Sequence, residues 1–111
     1  MIKCSILYPN TKDGRFDFDY YQSKHMPRSI QLLSARPGFR GVTVERGIGG
    51  TEPGSPPQYV AACFYIFESV EAFISAFMPH AEELQADMQK YTDIPAEIQF
   101  NEILIDKQSA V

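Results

Sequence analysis

The segment that most constrains the fold of this chain is a run of nine residues that is apolar on both alternating faces. It extends from Tyr59 to Phe67 and reads Tyr-Val-Ala-Ala-Cys-Phe-Tyr-Ile-Phe. A continuous apolar run of this length, bounded by turn and cap residues, is typical of a strand covered on both sides. Before it, the segment Gly47 to Pro57 contains four Gly and three Pro and predicts a loop. The sequence therefore predicts an inner strand with material packed on each face.

Three further segments predict strands. Ile2 to Tyr8 alternates apolar and polar residues and ends before the turn residues Pro9-Asn10. Phe39 to about Gly47 forms the second predicted strand and contains Val42 and Val44. The last extends from Glu97 to Asp106, and its apolar residues are expected on both faces, Ile98 and Phe100 on one and Ile103 and Ile105 on the other.

Two segments have helical periodicity. The first extends from Phe18 to about Leu33, with Asp17 or Asp19 available as the N-cap and Pro37-Gly38 closing it. The second follows Ser69, which is expected to cap it. Its apolar positions are Phe73, Ile74, Phe77, Ala81, Leu84, Met88 and Tyr91. Because this pattern stays in phase across Pro79, either one helix is kinked there or a second helix begins with Pro79 in its first turn.

The order β-α-β-β-α-β predicts a ferredoxin-like α+β fold with an antiparallel sheet, formed as one domain by residues 1–111. Two helices cover only one face of such a sheet. Since the third strand is apolar on both faces, we expect an identical sheet from a second copy to cover the other face. The expected assembly is a homodimer, the commonest closed assembly.

Composition and charge exclude several classes of protein. With 44% hydrophobic and 22% charged residues, the chain is expected to form a core, and it has no apolar run long enough to span a membrane. Ten basic against fourteen acidic residues give a net charge of −4 and predict no nucleic acid and no anionic membrane as partner. The N-terminal residues lack a secretory pattern, so we expect a cytoplasmic protein in which Cys4 and Cys63 are buried reduced thiols.

The first helix carries a histidine on its apolar face. That face comprises Phe18, Tyr21, His25, Ser29, Leu32 and Leu33. His25 is either a core histidine with a satisfied hydrogen bond or a pocket residue whose imidazole acts as general acid or base. Pro27 lacks a backbone donor and is expected to strain the helix near Ser23 to Met26, which favours a cavity beside His25.

Other candidates surround this position. Tyr21 is expected to project into the pocket, or else to be an ordinary core aromatic, whereas Tyr20 is expected to project away. His80 either faces the same cavity as His25 or is exposed or capping, and Asp87 either orients a histidine by a hydrogen bond or is a surface charge. A cavity is predicted between Tyr21, His25, Phe77 and Leu84. The full set of candidates comprises His25 and Tyr21 as catalytic residues and Phe18, Ser29, Phe77, His80, Leu84 and Asp87 as ligand-binding residues.

No motif indicates a metal or a nucleotide. Two histidines far apart in the sequence do not define a metal site, and Gly47-Ile48-Gly49-Gly50 does not open a helix after a strand. Neither a serine nucleophile elbow nor a zinc-binding His-Glu-x-x-His helix is present. We therefore expect no cofactor and no metal.

Several blocks of the sequence resemble the EthD family, named for a role in ethyl tert-butyl ether degradation. The blocks are Phe16-Asp17-Phe18-Asp19-Tyr20-Tyr21, Lys24-His25-Met26-Pro27, Tyr8-Pro9-Asn10, Pro79-His80, Ala86-Asp87, the segment from Tyr91 to Pro95, Gln99 and Asn101-Glu102. The resemblance implies a dimeric α+β barrel and a connection to the oxidative metabolism of small apolar molecules. Relatives of this barrel class include cofactor-free monooxygenases, polyketide cyclases, isomerases and dehydratases.

Two function classes remain open from the sequence. In the first, the chain is a cofactor-free oxidoreductase of the monooxygenase type that acts on a small hydrophobic or aromatic molecule, with His25 as acid or base and Tyr21 orienting the substrate. In the second, it is a non-catalytic accessory protein that holds such a ligand for a partner oxygenase. The residues do not separate these classes.

Overall fold

The four strands form an antiparallel sheet in the computed structural model, which describes residues 1–109. The strands are β1 (Ile2–Pro9), β2 (Phe39–Arg46), β3 (Tyr59–Phe67) and β4 (Glu97–Glu102). Their order in the sheet is β2-β3-β1-β4, and every neighbouring pair is antiparallel. The prediction that the third strand is an inner strand is therefore confirmed.

Two interrupted helical stretches connect the strands. The first consists of α1 (Phe18–Tyr20), a π-helical segment (Tyr21–His25) and α2 (Met26–Ser34). The second consists of α3 (Val70–Phe77), a 3-10 turn (Met78–His80), α4 (Ala81–Asp87) and a second 3-10 turn (Met88–Lys90). The β-α-β-β-α-β order and the ferredoxin-like α+β fold are as predicted. None of the helices within residues 1–109 is long and apolar enough to cross a membrane.

Side-chain caps fix where both helical stretches begin. Asp17, and not Asp19, caps the first, because its Oδ1 accepts a hydrogen bond from Tyr20 N at 3.1 Å. Ser69 caps the second as predicted, because its Oγ accepts from Ala72 N at 3.1 Å. Each cap satisfies a backbone N–H that has no partner within its helix.

Pro27 and Pro79 each interrupt the helical stretch that contains them. The π-helical segment ends at His25, two residues before Pro27, and the N–H of the next residue, Met26, donates to the carbonyl of Tyr21, five residues back. The predicted strain near Ser23 to Met26 is thus absorbed as one widened turn. At Pro79 the chain forms a 3-10 turn between α3 and α4, so the second stretch is interrupted without becoming two independent helices.

The helices cover one face of the sheet. On β3 the residues that face the helices are at most 1% exposed: Ala61, Cys63, Tyr65 and Phe67. Those on the opposite face are half-buried: Val60, Ala62, Phe64 and Ile66. Within the described residues, the two apolar faces of β3 therefore differ. One face belongs to the closed core, and the other forms a partly exposed apolar stripe.

The predicted end of the last strand is wrong. Strand β4 ends at Glu102 and not at Asp106, because its partner β1 begins at Ile2, which already pairs with Glu102. Leu104 and Ile105 follow the strand and are 83% and 88% exposed. The open face of β4 carries Glu97, Gln99 and Asn101, so only β3 supports the expectation of an apolar second face. Ile74, assigned to the apolar face of the second helix, is 45% exposed.

The turn before β2 depends on Gly38, and this generates a stability prediction. Gly38 has φ +91°, and a Cβ there would lie 2.8 Å from Ala72 Cβ. Gly38→Ala is therefore expected to lower the free energy of unfolding by about 2 kcal/mol or more, through backbone strain and this clash together. Urea unfolding measures the loss.

Substitutions at two other glycines distinguish the cost of backbone strain from the cost of the clash with Ala72. Gly54 also has a positive φ (+78°) but no atom within 4 Å of a built Cβ, and Gly41 combines open space with ordinary backbone angles. We expect Gly54→Ala to cost about 1 kcal/mol and Gly41→Ala to change stability by less than about 0.5 kcal/mol. Equal losses for Gly38→Ala and Gly54→Ala would contradict a clash with Ala72.

Candidate functional site

A cavity of about 110 Å³ lies between the helices and the covered face of the sheet. Its apolar lining includes Leu33, Phe73, Phe77, Leu84, Met88 and Ile98. Its polar and thiol lining comprises Cys4, Tyr8, Tyr21, His25, Ser29, Cys63, Tyr65 and Gln85. Within residues 1–109, no Asp, Glu, Lys or Arg side chain lines this cavity. It is an apolar space with a few polar groups, the usual composition of a small-molecule site.

His25 is buried at the cavity wall and bonded to Asp87. The π-helical segment ends at His25, which is 7% exposed, and its Nδ1 lies 2.9 Å from Asp87 Oδ2. Asp87 is the last residue of α4, so this contact joins the two helical stretches. The side chain of Asp87 is 23% exposed, which places the carboxylate between the imidazole and the solvent.

Three groups hold the Asp87 carboxylate in its ionised form. Burial alone would raise the pKa of Asp87, but hydrogen bonds from His25 and Tyr20 and the charge of Lys90 lower it below its ordinary value. Tyr20 Oη donates to Asp87 Oδ1 at 2.7 Å, and this hydrogen bond, more than any other cause, raises the pKa of Tyr20. Lys90 Nζ lies 3.6 Å from the same oxygen.

This arrangement selects one tautomer of neutral His25. A carboxylate only accepts hydrogen bonds, so Nδ1 must carry the proton that it donates to Asp87. The lone pair of neutral His25 then lies on Nε2, for which residues 1–109 provide no hydrogen bond. Because Nδ1 points to Asp87 and His25 lines the cavity, Nε2 is the ring nitrogen available to a bound molecule.

Aromatic rings surround the imidazole. The centroid of Tyr91 lies 4.6 Å from that of His25, and the ring of Tyr21 is nearly parallel to it, at 13° with 6.1 Å between centroids. Tyr8 and Tyr91 share a hydrogen bond of 2.6 Å between their hydroxyls. Burial raises the pKa of Tyr8 to about 12 and that of Tyr91 further, so both phenols are neutral at physiological pH. The aromatic rings therefore restrict the position of the His25 imidazole, and because they are neutral they place no second charge beside it.

The hydroxyls on the cavity wall are not equivalent. Tyr65 Oη and Ser29 Oγ are 2.7 Å apart and hydrogen-bonded, and Tyr8 is bonded to Tyr91. The hydroxyl of Tyr21 is buried and has no hydrogen-bond partner among the described residues. A buried polar group without a partner is rare in folded proteins and is destabilising.

The structure brings most, but not all, of the predicted site residues together. Tyr21, His25, Ser29, Phe77 and Leu84 line the cavity, and Asp87 contacts His25 from outside it. The expectation that Asp87 can orient a histidine therefore has its hydrogen bond in the structure.

Phe18 does not line the cavity. Its ring lies against Phe16, and the guanidinium of Arg46 on β2 is 4.2 Å from its centroid. It lines a separate groove between the first helical stretch and β2. Phe18 precedes the widened π turn, which changes the helical phase assumed for the whole stripe.

His80 does not line the cavity either. It ends the 3-10 turn at Pro79, where the rotation per residue differs from that of an α-helix and turns the side chain away from the apolar face. It lies near Glu83, whose pKa is lowered mainly by a hydrogen bond from Arg28 and further by His80. His80 is half-buried and precedes α4 without a side-chain cap hydrogen bond, so neither a cavity role nor an exposed or capping role is seen for it.

The sequence interpretation missed Tyr20 and the Tyr8–Tyr91 pair. Tyr20 does project away from the core stripe as predicted, but this direction places its hydroxyl on Asp87. Tyr91 was assigned only to an apolar pattern, although it is fully buried against His25. One signal was available, since Tyr20, Asp87 and Tyr91 all fall in the blocks that resemble the EthD family.

No metal site is evident in the part of the chain that is described. Residues 1–109 contain no group of three or more His, Cys, Asp or Glu side chains placed to hold a metal ion. Cys4 and Cys63 are unpaired and buried, and burial raises the pKa of their thiols to about 11 and about 12.

Comparisons with known proteins agree with this architecture. The family model of the EthD domain matches residues 13–95. An EthD-like protein from Ralstonia eutropha JMP134 is 37% identical, with a TM-score of 0.87 over 96% of this chain and 94% of its own. An ethyl tert-butyl ether degradation (EthD) family protein from Bacillus halodurans C-125 is 22% identical, with a TM-score of 0.69 over 94% and 99%.

A more distant likeness concerns the fold alone. SnoaB from Streptomyces nogalater, a cofactor-independent oxygenase, is 16% identical, with a TM-score of 0.59 over 95% of this chain and 93% of its own. No sequence among curated proteins matches the chain significantly.

Fold and comparisons together define an α+β protein with a ferredoxin-like antiparallel sheet and two helical stretches on one face. Within that class, the chain belongs to the EthD family.

The depressed pKa of Asp87 generates a pH prediction. A carboxylate with a lowered folded-state pKa stabilises the protein above its unfolded pKa of about 3.9, and this contribution is lost as the pH falls through the folded pKa. Asp87→Asn is therefore expected to lower the melting temperature at neutral pH. The difference from wild type should shrink below about pH 4. Thermal melts between neutral pH and strongly acidic pH measure this difference.

Glu82→Gln is the matched control, because Glu82 is an exposed carboxylate on the same helix α4. It removes one negative charge without affecting His25. If Asp87→Asn lowered the melting temperature by the same amount at every pH, the effect would come from packing and not from ionisation.

Proposed function

We propose that this EthD family protein is an enzyme, an oxidoreductase of the cofactor-independent monooxygenase type that acts on a small hydrophobic or aromatic molecule held in the cavity. The observation that carries the proposal is the bond between Asp87 and His25 at the cavity wall. The bond leaves Nε2 of His25 as the basic nitrogen on the side of the apolar cavity. The negative charge of Asp87 that supports it lies outside the cavity.

In the proposed reaction, the imidazole acts as general base. His25 Nε2 takes a proton from the bound molecule, and the imidazolium that forms is stabilised by the Asp87 carboxylate at Nδ1. Tyr20 keeps that carboxylate ionised and oriented by donating to its other oxygen. Because His25 is buried beside an apolar wall, the attraction between the imidazolium and the carboxylate is stronger than it would be in water. Tyr21 orients the substrate from the same helical stretch.

The comparison with SnoaB supports the reaction type only by analogy of fold. A sheet of this topology supports cofactor-independent oxygenation in that protein, so the fold is compatible with such chemistry. The residues proposed for this chain rest on its own geometry, namely the contacts of His25, Asp87 and Tyr20.

Replacing His25 tests the acid-base role. His25→Ala is expected to lower turnover of a substrate by about 10²-fold or more, the usual contribution of a positioned acid or base. His25→Asn keeps a hydrogen-bonding side chain but cannot transfer the proton, so it should lose a similar factor. Turnover and melting temperature are measured on the same preparations.

The melting temperature separates catalysis from packing. If His25 only fills the core, His25→Ala should lose stability, and activity should fall only with the folded fraction. Unchanged turnover in well-folded His25→Ala would end the acid-base proposal. It would favour the alternative function, a protein that holds the same small ligand for a partner oxygenase.

We also propose that the protein works as a homodimer. The half-buried stripe of Val60, Ala62, Phe64 and Ile66 runs along the open face of β3, and Leu7 of β1 lies beside it. A second copy of the sheet is the proposed cover for this face. The cytoplasm remains the proposed location, since the unpaired thiols of Cys4 and Cys63 suit a reducing compartment.

Sedimentation velocity tests the dimer. The wild-type chain is expected to sediment as a dimer at micromolar concentration, and Phe64→Asp should shift it toward the monomer by replacing an apolar side chain of the stripe with a charged one that is costly to desolvate. Ile74→Asp is the control, because Ile74 is exposed on α3 and lies away from this face. A wild-type chain that stays monomeric would contradict the proposal.

A further inference from the structure

The cavity has two polar positions that the protein leaves unused. Tyr21 is 1% exposed, and its hydroxyl has no hydrogen-bond partner within residues 1–109. Tyr65 and Tyr8, the other tyrosines on the wall, are bonded to Ser29 and Tyr91. The second unused position is His25 Nε2, since Nδ1 is bonded to Asp87.

The Tyr21 side chain lies between the cavity and the outer groove and lines both. The groups that act electrostatically on it are Cys63, Tyr8 and Tyr65, and all three line the cavity. Burial, followed by these neighbours, raises the pKa of Tyr21 well above its ordinary value, so the hydroxyl keeps its proton. It therefore offers one hydrogen-bond donor and one acceptor to a bound molecule.

The two positions offer complementary bonds. Neutral His25 presents a lone pair at Nε2 and accepts a hydrogen bond, whereas Tyr21 can donate one. A single hydroxyl group satisfies both, because its O–H donates to Nε2 while its oxygen accepts from Tyr21 Oη. Two bonds of about 2.8 Å to one oxygen require Nε2 and Oη to lie within about 5.6 Å of each other. Nearly parallel rings with centroids 6.1 Å apart allow that spacing.

Size and charge narrow the ligand further. The cavity of about 110 Å³ is smaller than an apolar cavity of about 150 Å³ that accepts benzene, so it accommodates no more than one ring without expanding. Within residues 1–109 its wall carries no Lys or Arg side chain, so a ligand that enters as a carboxylate or phosphate would meet no permanent positive charge, whereas a neutral ligand needs none.

We propose that the ligand of this cavity is a small neutral phenol, with its hydroxyl between His25 Nε2 and Tyr21 Oη. This inference rests on the proposed function and names its substrate class. The proton then moves from the phenol oxygen to Nε2, the O–H bond breaks, and its electron pair stays on the phenolate oxygen. The Tyr21 O–H donates to that oxygen throughout, and Asp87 balances the new charge on the imidazolium.

Three probes of similar size test the ligand class by binding alone. Phenol can donate and accept, anisole can only accept, and toluene can do neither. Calorimetry or ligand-observed NMR on the wild-type protein should rank phenol above anisole and anisole above toluene. In Tyr21→Phe, phenol affinity is expected to fall by about 3- to 10-fold, the worth of one hydrogen bond, while toluene affinity is retained.

Stability gives an independent readout for the same variant. Removing a hydroxyl that has no partner should leave the melting temperature of ligand-free Tyr21→Phe equal to or above that of wild type. Tyr65→Phe is the matched control, because it removes a hydroxyl that is bonded to Ser29, and it should lower the melting temperature. A loss in Tyr21→Phe as large as that in Tyr65→Phe would show that the Tyr21 hydroxyl is already engaged, and would overturn the inference.

Other outcomes are equally decisive. Equal affinity for phenol and anisole would overturn the assignment of a hydroxyl, and unchanged phenol affinity in Tyr21→Phe would overturn the role of Tyr21. These results are distinct from failure of the proposed function, which is read from turnover in the His25 variants. Selective binding of phenol without any turnover would support the ligand class and would favour the accessory protein over the enzyme.

Discussion

The hydrogen bond between His25 and Asp87 is the contact on which the arrangement of the site depends. It is the point at which the end of the π-helical segment meets the end of α4, and so it ties together two stretches that are each interrupted by a proline. The bond also lets the fold bury an imidazole at the wall of an apolar space. Without the carboxylate, a protonated imidazole there would have no charged partner.

The two interruptions explain why a cavity is present at this place. A continuous α-helix packed on a sheet leaves few voids larger than a water molecule. Here Pro27 is accommodated by a widened turn and Pro79 by a tightened one, so neither stretch presents a regular ridge to the sheet. The widened turn also places Tyr21 and His25 with their rings almost parallel, side by side on the cavity wall. The distorted turns therefore both leave room for the cavity and position the residues of the site.

The hydrophobic periodicity of the sequence was sufficient to predict the order of the helices and strands and the inward direction of His25, because both depend on side-chain spacing along a regular element. It failed where the elements are irregular. The phase of Phe18 and His80 was calculated for unbroken α-helices, and each lies beside a distorted turn. The end of β4 depends on where its partner β1 begins, which local sequence does not contain. The bonds of Tyr20 to Asp87 and of Tyr8 to Tyr91 connect residues far apart in the chain and needed tertiary coordinates.

The two faces of β3 carry separate requirements. Its covered residues, Cys63 and Tyr65 among them, form part of the cavity wall, while the alternate residues form the apolar stripe on the open face. Since neighbouring residues on one strand point to opposite faces, each face can change in sequence without directly altering the contacts of the other. The backbone is nevertheless shared, so any partner that flattens or bends β3 at the open face also moves the wall opposite His25. Coupling between assembly and ligand binding in this fold would therefore pass through strand curvature and not through a chain of side chains.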